Sequence, residues 1–178
     1  SSILEYYLSI DNDPITIEEI IGNINVSDNH SGVEYFVISN SYFSKEKIVG
    51  VYQYVIGFMD ESANVTEVTV TINNDDYIPP VFTYSDSEYI LSYRDNKTIG
   101  AIITELGINV SDNYYQVEFA IIEDNYSYNI SNVGTYKVIL EAIDGSDNRS
   151  ELIISIHIID DKAPIFFVNE AFIATNVN

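Results

Sequence analysis

Three aspartates recur at a fixed spacing: Asp28, Asp60 and Asp76 return as Asp112, Asp144 and Asp160, each 84 residues further on. Ser27-Asp28-Asn29 and Asp60-Glu61-Ser62-Ala63-Asn64 have the composition of turns, where an Asp side chain accepts hydrogen bonds from its own backbone. Carboxylates gathered from several loops also supply what a hard cation needs, six to eight oxygens in the case of Ca2+. Two further acids adjoin the recurring ones, Asp75 before Asp76 and Asp161 after Asp160. Asp28, Asp60, Asp75, Asp76, Asp112, Asp144, Asp160 and Asp161 are therefore candidate Ca2+ ligands, with turn initiation as the competing reading. No Asp-x-Asp-x-Asp-Gly loop decides between them, and neither reading requires a cofactor.

The second group with defined chemistry is a set of eight Asn-x-Ser/Thr acceptor sites for N-linked glycans: Asn25, Asn29, Asn64, Asn96, Asn109, Asn125, Asn129 and Asn148. Eighteen asparagines at this chain's Ser/Thr frequency would give about three such sites by chance. Asn25 and Asn109 alternate with apolar neighbours, which points them away from a core. An asparagine-rich composition without glycans is the plainer reading. Tyr6-Tyr7, Tyr114-Tyr115 and Tyr126-x-Tyr128 offer aromatic faces for sugars, although tyrosine also serves simply as a strand former.

Catalytic chemistry has little to stand on. The two histidines, His30 and His157, fall at unrelated positions of the repeat, and His157 between Ile156 and Ile158 reads as an outward strand residue. There is no nucleophile elbow, zinc motif or glycine-rich phosphate loop, so the expectation is a protein that is not an enzyme. With 28 acidic and 7 basic residues the net charge is −21, which leaves no basic stripe for nucleic acid. The acidity fits solubility of a long array, cation binding, or repulsion that keeps a fibre extended. No run approaches the roughly 18 uninterrupted apolar residues of a membrane helix. Cysteine is absent, so the cores alone must hold the fold.

The elements that must position these groups come in two copies. Ile24-Asn25-Val26-Ser27-Asp28-Asn29 returns as Ile108-Asn109-Val110-Ser111-Asp112-Asn113, and Gly50-x-Tyr52 as Gly134-x-Tyr136, with no insertion expected between Ile15 and Phe82. Alternation in Val68-Thr69-Val70-Thr71-Ile72 and in Leu152-Ile153-Ile154-Ser155-Ile156 marks half-buried strands. Asp60 to Asn64 and Asp144 to Asn148 read as hairpin turns. Residues 15–21 allow a brief helical turn, but their counterpart 99–105 reads as strand, so the segment reads as strand or irregular. The expected fold is all-β: two tandem immunoglobulin-like antiparallel β-sandwiches of seven strands each, spanning residues 1–79 and 80–163. Two prolines and no glycine stiffen the connection through Pro79-Pro80.

Residues 164–178 open a third copy, because Pro164-Ile165-Phe166-Phe167 matches Pro80-Val81-Phe82-Thr83. Two roles follow for this tail: the first strand of a further module in a longer polypeptide, or a donor strand that completes the next subunit head to tail. Ser1-Ser2 at the start, with the single methionine at Met59, reads as a mature or excised segment whose first module lacks the counterpart of residues 80–84.

Val133-Gly134-Thr135-Tyr136, then Ala142-x-Asp144-x-x-x-Asn148, then Ile158-x-Asp160-x-x-Ala163-Pro164-Ile165 resemble the last strands of bacterial immunoglobulin-like and hyalin-repeat surface modules. Asn74-Asp75-Asp76…Pro79-Pro80-Val81-Phe82 and Asp160-Asp161-Lys162-Ala163-Pro164 are similar to the inter-domain segment of cadherin repeats. That likeness implies calcium ligation there, although the mid-domain Asp-Arg-Glu ligands of cadherins have no counterpart. The resemblances imply an extracellular structural segment of a surface fibre or stalk that extends, spaces or adheres. Its partners would be neighbouring modules or subunits and N-linked glycans. The competing class is a calcium-dependent or glycan-binding adhesin.

Overall fold

The computed structural model describes residues 4–30 and 32–167. The first copy of the repeat contains β1 (Leu4–Ser9), α1 (Ile17–Gly22), β2 (Val33–Asn40), β3 (Gly50–Asp60) and β4 (Val65–Asp75). The second contains β5 (Val81–Thr83), β6 (Glu88–Ser92), α2 (Ile99–Glu105), β7 (Asn109–Ser111), β8 (Phe119–Asp124), β9 (Gly134–Ile143) and β10 (Arg149–Ile159). The protein is mostly β, with two repeat-like β units.

Each copy builds the same four-stranded sheet, in the order β1-β4-β3-β2 and β6-β10-β9-β8. Among the described residues, only the second copy adds a two-stranded sheet, β5 with β7. Four strands and six are therefore formed among the described residues, where seven per module were expected. The sheets are also not purely antiparallel. β1 runs parallel to β4, and β6 parallel to β10. Alternation fixes which side chains turn inward but carries no information on strand direction.

The outward and inward faces follow the period of two. Along β9, Val138, Leu140 and Ala142 are buried; along β10, Leu152, Ile154, Ile156 and Ile158. All of these except Ala142 join Leu91, Ile102, Leu106, Ile108 and Tyr126 in one core. The other core holds Ile20, Tyr42, Tyr52, Tyr54, Ile56, Phe58, Val70 and Ile72. Equivalent details recur, including one bulge in β2 and one in its counterpart β8, at Val37/Ser39 and Ile121/Glu123. Tyr42 and Tyr126 are both fully buried, each at a turn held by an acceptor two residues earlier, Asn40 or Asp124.

Two short helices replace the strand or irregular segment expected at residues 15–21 and 99–105. Thr16 caps α1, accepting from Glu19 N–H at 3.2 Å while Glu19 accepts from Thr16 N–H at 2.8 Å, a complete capping box. Thr98 caps α2 through Ala101 N–H. Ile17, Ile20 and Ile21, and likewise Ile99, Ile102 and Ile103, meet the cores at helical spacing. Thr16 and Thr98 lie 82 residues apart, as do the buried Ile20 and Ile102. The expected insertion-free register therefore fails here. Two extra residues after α2, which include Gly107 in the left-handed region, restore the spacing of 84 at Ile108.

The chain divides into two compact units. One comprises Ser1–Pro80 with the loops Asp112–Val117 and Ile143–Arg149. The other comprises Val81–Ser111, Glu118–Ala142 and Ser150–Asn178. Residues 168–178, part of the tail assigned above to a further module or a donor strand, lie outside the described residues.

Candidate cation site

Within the first compact unit, three of the eight candidate aspartates come together. Oxygens of Asp76, Asp112 and Asp144 all lie within 4.8 Å of one another. Each is delivered by a turn. Asp76 follows the end of β4 and accepts from Ile78 N–H at 3.0 Å. Asp112 follows β7 and accepts from Tyr114 and Tyr115 N–H at 3.0 and 2.7 Å. Asp144 opens the β9–β10 turn and accepts from Ser146 and Asn148 N–H at 2.8 and 2.9 Å.

In every case it is Oδ1 that the local backbone occupies. At Asp76 and Asp112 the second oxygen is left for something else. Asp76 is 0% exposed, and its Oδ2 has no hydrogen-bond partner; Asp112 Oδ2 is buried and equally without one. Buried polar atoms are nearly always paired, and an unpaired ionised oxygen is costly. At Asp76 and Asp112 turn chemistry and cation binding are therefore compatible, one oxygen serving each.

Neighbouring side chains hold the three turns in place. Asn148 donates both amide hydrogens, to Asp144 Oδ2 at 2.7 Å and to the Asp76 carbonyl at 2.9 Å. Asn113 Nδ2 bridges Asp76 Oδ1 and Asp11 Oδ1, both at 3.2 Å. Ser146 donates to Asp75 Oδ1 at 2.6 Å and shares a hydrogen bond with Tyr115 Oη at 3.1 Å. The Tyr115 ring lies against Gly145 so closely that a Cβ there would overlap it. Asp75 thus fastens a loop with one oxygen. The supporting roles of Asn113, Ser146 and Gly145 escaped the sequence reading, which took Asp75 as a candidate ligand, Tyr115 as a sugar-binding candidate and Asn148 as a glycan acceptor in a hairpin turn. The Asp112-Asn113 pair and the shared Asp-x-Ser-x-Asn turn were the available signals.

Asp28, Asp60, Asp160 and Asp161 join no such cluster among the described residues. Asp60 makes the same turn as Asp144, and the Asn64 amide with the turn N–H groups holds its carboxyl below the usual range. Asp160 Oδ1 accepts from Lys162 N–H, and Asp28 Oδ1 from His30 N–H. Asp161 accepts from Ser92 Oγ. The turns are copied, but only Asp76, Asp112 and Asp144 meet.

The donors suit a hard cation. All are carboxylate oxygens, two of them buried and unpartnered, which matches Ca2+ rather than a metal that prefers imidazole or thiolate. Of the glycan acceptors, Asn25, Asn29, Asn64, Asn96, Asn109 and Asn125 are exposed, while Asn129 and Asn148 are half-buried. Tyr126 is a core residue hydrogen-bonded to the Lys97 carbonyl, which leaves Tyr128 alone of that sugar-binding pair at the surface. Tyr115 likewise faces inward onto the cation-site loops, with Tyr114 packed edge-on to it. His157 shares a hydrogen bond with Thr135 Oγ1.

No protein-family model matches the chain. It is 25% identical over 151 residues to an uncharacterized 81.3 kDa protein of Acholeplasma phage L2. That match covers 84% of this chain and 20% of the phage protein, so the chain spans one fifth of its relative's length. Among solved structures it is similar to tandem cadherin domains. The protocadherin gammaB4 extracellular domain matches at TM-score 0.40 and 10% identity, covering 89% of this chain and 33% of that one. Drosophila N-cadherin EC1-3 matches at 0.36 and 10%, covering 88% and 64%. Human mucin-like protocadherin EC1-2 matches at 0.35 and 9%, covering 89% and 96%.

Proposed function

We propose that this chain is a structural repeat segment of an extracellular surface fibre or stalk, carrying N-linked glycans, in which Ca2+ fastens its loops together. Asp76, Asp112 and Asp144 hold the ion. Its charge neutralises three carboxylates that otherwise face one another, and so ties the segment after β4 to two loops of the next copy. The observation that carries this reading is the fully buried Asp76 with an unpartnered oxygen beside two further carboxylates. The protein has no enzymatic role in this account; its work is extension, spacing and adhesion. The outward location rests on the repeat architecture. Among the described residues no helix is long and apolar enough to cross a membrane. Glycans would attach at the exposed acceptors, and this part rests on the eight sequons alone.

Thermal unfolding in Ca2+ and in chelator tests the proposal. A ligand at a hundred times its Kd stabilises by about 2.7 kcal/mol, roughly 5–10 °C for a chain of this size. The expected result is a rise of that order in wild type and its loss in Asp76→Asn, which keeps the shape and removes the charge. Wild type with the same Tm in both buffers would sink the cation reading.

A further inference from the structure

Two of the proposed roles fall on one nitrogen. Asn148 is the acceptor of the sequon Asn148-Arg149-Ser150, and its Nδ2 also fastens the cation site. One amide hydrogen goes to Asp144 Oδ2 at 2.7 Å and the other to the Asp76 carbonyl at 2.9 Å. A carboxamide nitrogen carries two hydrogens, so both are spent. The residue is half-buried as well. Among the described residues no other acceptor is held in this way. Asn64, at the equivalent turn of the first copy, is exposed and gives a single bond, to Asp60 Oδ2 at 2.7 Å. Asn96 and Asn109 each give one bond, to the carbonyls of Arg94 and Gly107. Asn125 gives one to Glu123 Oε1, and Asn129 one to the Asn125 carbonyl. Each of these keeps a hydrogen that it can lose. Asn148 has none to spare while its turn is docked on the segment after β4.

We infer, resting on the cation and glycan readings above, that a glycan at Asn148 and a cation at Asp76, Asp112 and Asp144 exclude one another, while the Asn64 acceptor is indifferent to the cation. Transfer from a diphosphate-activated glycan forms a bond from Nδ2 to sugar C1 and breaks the bond from C1 to the diphosphate oxygen. The diphosphate leaves with that electron pair, and a base of the transferase takes one amide proton. The hydrogen that remains serves Asp144 Oδ2 or the Asp76 carbonyl, and not both. Without the bond to the carbonyl, the β9–β10 turn is released from the segment that carries Asp76. Without the bond to Oδ2, the Asp144 carboxyl is fixed through Oδ1 alone, by Ser146 and Asn148 N–H. In either case the three carboxylates lose the spacing that lets one ion meet them. The reverse also holds, because an ion that keeps the turn docked keeps Nδ2 engaged and out of a transferase's reach. A chain glycosylated at Asn148 before it folds therefore folds with an open site. A chain that binds its ion first keeps Asn148 bare.

The test compares wild type with Ser150→Ala, which removes the sequon and keeps Asn148, each made in a glycosylating and in a non-glycosylating host. Peptide mass mapping shows which acceptors are filled, and calorimetry gives the Ca2+ affinity of each separated form. From the non-glycosylating host the two chains should bind alike, which shows that the substitution is harmless to the site. From the glycosylating host, Ser150→Ala with a glycan on Asn64 should bind just as well. Wild type filled at Asn148 should bind about tenfold more weakly or worse, the loss expected with a hydrogen bond to a charged group. A cooperative melt of that form in chelator separates loss of the site from loss of the fold. Wild type filled at Asn64 and bare at Asn148, with full affinity, is the other expected product. A form filled at Asn148 that keeps full affinity overturns the inference and leaves both readings beneath it standing. No Ca2+ binding in any preparation removes the cation reading, and bare acceptors throughout remove the glycan reading; the inference falls with either.

Discussion

At Gly145 a single hydrogen decides how the cation site is held. The Tyr115 ring rests on this residue, and Tyr115 shares the loop of Asp112 while its hydroxyl meets Ser146 in the loop of Asp144. Gly145→Ala must displace the ring at an overpacking cost of about 1–3 kcal/mol. Affinity for Ca2+, measured by titration, should fall several-fold although no carboxylate is altered; unchanged affinity would remove Tyr115 from the support of the site. A second residue-scale prediction concerns Glu105. Hydrogen bonds from Lys97 and Tyr89 hold its carboxyl below the usual range, and Glu105 with Tyr89 raises Lys97. Glu105, with its folded-state pKa depressed, contributes stability above its unfolded value near 4.5, lost as pH falls through the folded value. Lys97, with its pKa raised, contributes below its unfolded value near 10.5, lost as pH climbs through the folded one. The Tm difference between wild type and Glu105→Gln should therefore be flat between about pH 5 and pH 10 and should close on the acid side. A difference independent of pH down to pH 2 would mean that the pair contributes through packing alone.

The helices show where element-scale reading of the sequence stopped. Ile17, Ile20, Ile21 and Ile24 carry a helical period, and Thr16 with Glu19 spells a capping box, so α1 was legible in principle. Isoleucine and threonine are strand formers, and over six or seven residues period alone does not separate the two forms. The long strands β3, β4, β9 and β10 were legible because alternation persists over ten or eleven residues. The parallel pairings of β1 and β6 were not, since direction is set by the connections through α1 and α2. The caps give an unequal prediction. Thr16 completes a box with Glu19, whereas the residue at that position after Thr98 is Ala101. Thr16→Ala should cost about 1–2 kcal/mol and Thr98→Ala about 0.5–1 kcal/mol by chemical denaturation. Equal losses would mean that the Glu19 half of the box contributes nothing.

Over the whole molecule, the repeat copies the acidic turns, and one complete cluster forms among the described residues. Asp76 belongs to the first copy, Asp112 and Asp144 to the second, and each of the three has a twin in the other copy. Asp28 and Asp60 repeat the turns of Asp112 and Asp144, and Asp160 repeats that of Asp76, but the twins do not meet among the described residues. The sequence displays all eight acids alike, because each turn reads the same whether or not its free oxygen finds company. Which three gather is a property of the fold.

Calorimetric titration of the metal-free chain with Ca2+ tests this most directly. The account predicts one Ca2+ bound per chain, with Asp76→Asn abolishing it and Asp60→Asn, at the equivalent turn of the first copy, leaving it intact. No heat of binding in wild type, or binding undiminished in Asp76→Asn, would contradict the assignment of Asp76, Asp112 and Asp144 as the site.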